Sequence, residues 1–290
     1  MKTMQLINGR SLIGLLAAGM LNTGVAIGGP VGESGIPAPV SESVGDWVTL
    51  GVGFIGSYTG FSLEEEYLSG PAVVGAGGTA LWKADYDEPD GWLYGIMGSA
   101  TFPNFRNATL DARYQTGELD GGFRIVPLAG GNPFSGEADI DRDLWEVGVT
   151  VPIFEWIYAR AEYFNQQDDV DWNYSGGGVE MQEYQLHALR FGLGARQDVP
   201  VGATGFTVTL DAFAGAVYFD LEHEEKTVPV TTDWQGWGYV LRGGASTSYP
   251  LNDQFSAVGG VAFEWMDLSD DGLDFENWML DLMLGISGKF

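Results

Sequence analysis

Two histidines and no cysteine restrict the nucleophilic or metal chemistry open to this chain of 290 residues. His223 stands in DLEHEEK, among Glu222, Glu224 and Glu225, and Asp220 lies three residues before it. Asp220 and His223 together make a candidate Asp–His pair of the kind an acid–base hydrolase uses. His187, in QLHALRFGLG, shares parity with Leu189 and Phe191 and is expected to face outward at an interface. No nucleophile motif accompanies either histidine. The run from Asp139 to Asp143, DIDRD, opens like a calcium loop. Leu144 then stands where that loop needs glycine, and Thr150 where it needs its closing glutamate. The chain is therefore expected to be no enzyme, with no catalytic residue, no cofactor and no resident metal.

Carboxylates dominate the remaining polar chemistry. Forty Asp and Glu against thirteen Lys and Arg give a net charge of −27. That balance excludes nucleic acid as a partner, because neutralising phosphates takes Lys and Arg. Many acids come in short runs: Glu64, Glu65 and Glu66 in LEEEY, Asp168 and Asp169 in DDVD, Glu222, Glu224 and Glu225 in EHEE, Asp270 and Asp271 in DDGLDFE. Read as exposed loops on one side of a fold, they form a mouth that attracts cations and offers ligands to divalent ions. DYDEPDG reads as a polar turn on the opposite side.

A second set of charges sits one by one between apolar residues. Asp111, Arg113, Glu146, Arg160, Glu162, Arg190, Asp211, Arg242, Glu264 and Asp281 alternate with apolar or aromatic neighbours. Period-two alternation means strands with one greasy and one polar face. At the end of the chain, WMLDLMLGISGKF places Trp278, Leu280, Leu282, Leu284 and Ile286 on one face. Exposed to water, such a strand would aggregate, so its greasy face is expected to meet lipid. The same alternation recurs around Val48, Trp145, Ile157, Leu189, Phe206, Trp237 and Phe255, with aromatics at the ends of the apolar faces. Short connections such as QDVPVGATG and YPLNDQ alternate with longer acidic ones. The first half is read as strands near 47–58, 72–84, 92–102, 107–116 and 121–128. The total is about twelve, or ten or eight if some of these belong to loops.

The beginning reads as an address. Lys2 and Arg10 precede the short apolar run SLIGLLAAGML, and small residues follow to Ala26. This predicts a cleaved secretory signal over 1–26, a flexible Gly/Pro/Ser-rich segment over 27–45 and a barrel over 46–290.

These residues together resemble the bacterial outer-membrane β-barrel superfamily. The likeness covers the address and nearly everything from Trp47 to Phe290, and its most specific element is the last strand. It implies an all-β, transmembrane, antiparallel up-and-down barrel. It implies that Phe290, Ile286 and Leu284 are the signal read by barrel-assembly machinery. Outer-membrane lipid and lipopolysaccharide become the expected partners, with divalent cations at the loops. The inward charges either line a wet channel or interlock in a closed lumen. The first expectation is a small channel for polar solutes or ions with a cation-attracting mouth. The alternative is a closed structural or surface-binding barrel.

Overall fold

Alternation of period two runs through ten strands in a computed structural model that describes residues 48–69, 80–128, 132–175, 179–202, 205–226 and 230–290. In chain order they are β1 (Thr49–Ser69), β2 (Ala80–Phe102), β3 (Ala108–Pro127), β4 (Phe134–Pro152) and β5 (Ile157–Tyr174). There follow β6 (Val179–Val201), β7 (Phe206–Glu225), β8 (Val230–Pro250), β9 (Phe255–Asp270) and β10 (Leu273–Lys289). Each strand pairs antiparallel with its sequence neighbours, and β10 pairs with β1, so the sheet closes on itself. Closure removes the free edge that the apolar last strand would otherwise expose. Val48 and Phe290 exchange backbone hydrogen bonds at the seam, so both ends of the described chain lie at one end of the barrel. The tight connections after β2, β4, β6 and β8 lie there too, and we call it the hairpin end. The signal and flexible segment expected before Val48 lie outside the described residues.

The twelve strands expected from the sequence are ten among the described residues. Two pairs of predicted strands are each one long strand. In the first pair, DYDEPDG is the middle of β2 and not a turn at the hairpin end. Its register against both neighbours shifts by one residue there: Asp87 pairs with Gly122, but Asp90 pairs with Asp120. Glu88 has φ +43°, and Pro89, which has no N–H to give a ladder, takes the extra position. This bulge switches parity, so Trp82, Ala84 and Tyr86 face inward before it and Leu93 after it. In the second pair, GELDGG runs straight through β3. A Cβ on Gly117 would lie 2.1 Å from the Trp92 carbonyl oxygen, so this glycine permits close strand approach. The predicted strand near 72–84 is described only from Ala80 onward.

Strand length creates two halves. In the hairpin half the outward residues are apolar, such as Val52, Phe54, Ile96, Val149, Leu193, Leu284 and Ile286. In the far half the strands continue with acidic outward residues, and the inside is a packed core that includes Phe61, Tyr86, Leu119, Phe164, Trp172 and Phe219. Each such fully buried side chain contributes about 1.5–3 kcal/mol.

The bulge generates a prediction. Deleting Glu88 forces β2 either to break its pairing or to turn Lys83 and Asp85 inward in place of Trp82, Ala84 and Tyr86. Urea unfolding in micelles should show a loss of at least about 3 kcal/mol, the burial of two large side chains. Glu88→Gly, which relieves the positive φ, should be neutral or stabilising by up to about 1 kcal/mol. Equal effects of the two changes would remove the parity switch from the account.

Candidate functional site

The inward ladders of ten strands converge on one axis, and water reaches little of what they carry. Nearest the hairpin half is a network of charges. Arg113 on β3 lies 2.8 Å from Glu146 on β4 and 2.9 Å across the barrel from Asp281 on β10. Asp281 also accepts from Ser57 at 2.6 Å, and Gln115 donates to Ser57. Arg160 on β5 makes two hydrogen bonds to Asp111 and reaches Glu146 and Glu162. Arg190 on β6 bonds Glu162 at 3.1 Å and Glu264 on β9 at 2.9 Å, with its guanidinium 3.8 Å over the Phe164 ring. The carboxylates of Glu146, Glu162 and Glu264 come within 4.8 Å of one another. Arg113, Arg160 and Arg190 lie among them and offset their like charges. The eight lumen candidates, Glu146, Arg160, Glu162, Arg190, Asp211, Arg242, Glu264 and Asp281, all take inward positions in this region. All but Asp211 and Arg242 interlock in the network, and the side chains of Arg113 and Arg190 are 5% and 0% exposed.

A second buried pair lies deeper in the far half. Arg142 Nε and Nη2 each donate to Asp168 at 2.7 Å, a two-pronged pair with both side chains buried. The guanidinium also sits 4.7 Å over the Phe61 ring. This pair was hidden within two runs read as loops. The available signal was parity: Arg142 shares its face with Leu144 and Glu146.

Above it, Tyr184 donates to Glu65 at 2.6 Å, its hydroxyl lies 2.8 Å from that of Tyr86, and Trp172 donates to Tyr86. His223 stacks on Tyr184, with Nδ1 3.4 Å from Glu65 and Nε2 against Gln182. Burial first, then the Glu65 charge, raises both phenols well above their ordinary value, which keeps them as donors. Near the far rim, burial and then Glu180 raise Tyr174 in the same way.

Apart from Asp271, in the turn between β9 and β10, the acids read as loop residues lie in strands and divide by parity. Glu65, Asp168 and Glu225 are buried inside the barrel, contrary to their reading as exposed loop acids. Glu64, Glu66, Asp169, Glu222, Glu224, Asp270 and Asp271 lie on the outer side or at the rim. His223 is likewise a core residue and not a solvated one. Asp220, facing outward, accepts from Gln235, so the candidate Asp–His pair is split across the sheet. His187 lies on the outer face, Nδ1 2.6 Å from the Tyr163 hydroxyl and 2.9 Å from the Asn165 amide. In DIDRD, Asp139, Asp141 and Asp143 face out while Ile140 and Arg142 face in. Phe290, Ile286 and Leu284 are exposed on the outer face of the seam.

No protein-family model matches the chain, and no curated protein does. Its fold is that of solved bacterial outer-membrane barrels. The outer membrane protease OmpT of Escherichia coli aligns over 87% of this chain and 99% of its own, with TM-score 0.60 and 10% identity. The translocator domain of the autotransporter NalP of Neisseria meningitidis aligns over 83% and 89%, with TM-score 0.37 and 11% identity, too distant to carry an argument. The OmpT likeness corrects the expectation that this chain is no enzyme. A protease is built on this barrel, so scarce histidine and a missing nucleophile motif do not exclude catalysis. At 10% identity the likeness concerns the fold and transfers no residue roles.

Arg142 and Asp168 give a test of the buried chemistry. Arg142→Met alone leaves a buried carboxylate with only Gln166 as donor, and should cost about 3–5 kcal/mol in urea unfolding. Adding Asp168→Leu should recover most of that loss. A double variant no more stable than the single one would mean that packing, not charge, is what Arg142 provides.

Proposed function

We propose that the chain is an outer-membrane β-barrel, closed to ion flow, that crosses the bilayer with its hairpin half and displays its far half outside the cell. One observation carries this reading: the outer face changes character at the same level all round the barrel. On β4 it passes from Val151, Val149 and Val147 to Trp145, and then to Asp143, Asp141 and Asp139. On β10 it passes from Ile286, Leu284, Leu282 and Leu280 to Trp278, and then to Glu276 and Asp274. On β7 it passes from Leu210 and three alanines to Tyr218, and then to Asp220 and Glu222. An apolar stretch of about 9–11 residues ending in an aromatic girdle is what a bilayer asks of a strand. Among the described residues no helix is long and apolar enough to cross, a fact that leaves strand-built crossing open.

A small conducting channel is the competing reading. The closed one is favoured because Arg113, Arg142 and Arg190, with their carboxylates, occupy the axis without solvent access. In this reading the barrel works through its outer surface. The collar of carboxylates above the girdle gathers cations, and divalent ions join it to the phosphates of lipopolysaccharide. Tyr114 and Tyr239 tie girdle to collar by donating to Asp143 and Asp267 at 2.7 Å. Phe290, Ile286 and Leu284 serve the assembly machinery, and a cleaved address delivers the chain.

Two outcomes are expected. The purified protein in planar bilayers should give no discrete conductance steps, and regular cation-selective steps would replace the closed reading with the channel. Leu284→Arg, on the outer face, should lower the folded fraction in lipid by roughly 2–4 kcal/mol, while the inward Ser287→Arg should change it little. Separately, Mg²⁺ should raise the unfolding midpoint in membranes containing lipopolysaccharide. Changing Asp139, Asp141 and Asp143 together to Asn should shrink that rise.

A further inference from the structure

Small inward residues hollow out the hairpin half on one side. Toward that end β1, β8, β9 and β10 turn Gly51, Gly244, Ser246, Gly260 and Gly285 to the inside, and a cavity of about 500 Å³ remains beneath the charge network. A volume of that order suits a small molecule. Its lining residues continue to the hairpin end, the side from which a solute would enter.

The charged groups of the wall are engaged, with one exception. Arg160 is held by Asp111, Glu146 and Glu162. Arg196 and the Tyr158 hydroxyl both donate to Asp211, and Thr209 donates to Asp198. Arg242 is the exception. Its one ion-pair contact among the described residues is Glu264 at 4.0 Å, beyond hydrogen-bond reach, while its side chain is only 21% exposed. Glu264 is already engaged by Arg190. A guanidinium offers five N–H donors in a fixed fork that matches a carboxylate. Three arginines and three aspartates line the cavity, and Arg242 is the one arginine of the three with no carboxylate within hydrogen-bond reach. Met97, Phe213, Val258 and Met283 give the wall its apolar part, beside the hydroxyls of Ser99, Ser246 and Ser287.

We propose that this cavity is a binding site for a small organic carboxylate with an apolar body. Arg242 takes the carboxylate, and the body lies against Phe213, Val258 and the two methionines. The site faces away from the acidic collar and is independent of whether the barrel conducts.

Phenylacetate is a suitable probe, with phenylacetamide as its uncharged counterpart, titrated calorimetrically into the full barrel folded in micelles. Phenylacetate should bind with a Kd of about 1 mM or tighter, and phenylacetamide at least about tenfold more weakly. Arg242→Gln should weaken phenylacetate about tenfold, Arg242→Lys less, and Ser246→Phe should remove binding by filling the cavity. Heat-modifiable migration on gels checks that each variant is a closed barrel, and any one folded variant suffices for the comparison. The proposal is overturned by equal affinity for acid and amide, by unchanged binding in a folded Arg242→Gln or Ser246→Phe barrel, or by no binding of phenylacetate up to about 10 mM.

Discussion

A charge inside a closed sheet must be answered inside that sheet. Moving an ion from water into such an interior costs several kcal/mol, and only a well-placed counter-charge offsets it. This constraint shapes the barrel. Arg113 finds Glu146 on the neighbouring strand and Asp281 three strands away, and Arg190 finds Glu162 beside it and Glu264 three strands away. Because two of these pairs join strands three places apart around the barrel, they tie together parts of the wall that share no backbone ladder. On one side of them is a solid aromatic core, on the other a hollow bounded by glycine and serine.

The two halves answer different solvents with the same backbone. In the hairpin half the outside is apolar and the inside is charged or empty. In the far half the outside is acidic and the inside holds Phe61, Trp172 and Phe219. The far half is thus built like a water-soluble domain, with an apolar inside and an acidic outside. It needs no water-filled core to stay folded, and its surface is rigid strand where mobile loops might be expected.

The hairpin half was legible in the sequence because outward apolar residues alternate cleanly with inward small or polar ones. The outward set of β10 from Trp278 to Ile286 and the inward parity of Arg160 and Glu264 could be read directly. The far half was not legible for the same reason in reverse. Where the outside is Asp and the inside holds Arg142, Glu65 or His223, both faces are polar and a strand looks like a loop. The stretch from Gly117 to Asp120 was left between two strands, and the bulge at Glu88 and Pro89 broke the count of two that would have joined the halves of β2. Pairing partners were beyond reach, since residues 168 positions apart in sequence, such as Arg113 and Asp281, meet only through the closed topology.

That last contact also bears on how the barrel comes to exist. Asp281 belongs to the final strand and Arg113 to the third, and β10 reaches its place only by joining β1. Until then Arg113 lacks one of its counter-charges, and Ser57 on β1 has no carboxylate to bond. Zipping the seam and neutralising the interior are therefore one event. An unclosed sheet carries unanswered charge as well as two open edges, so closure satisfies backbone and side chains together.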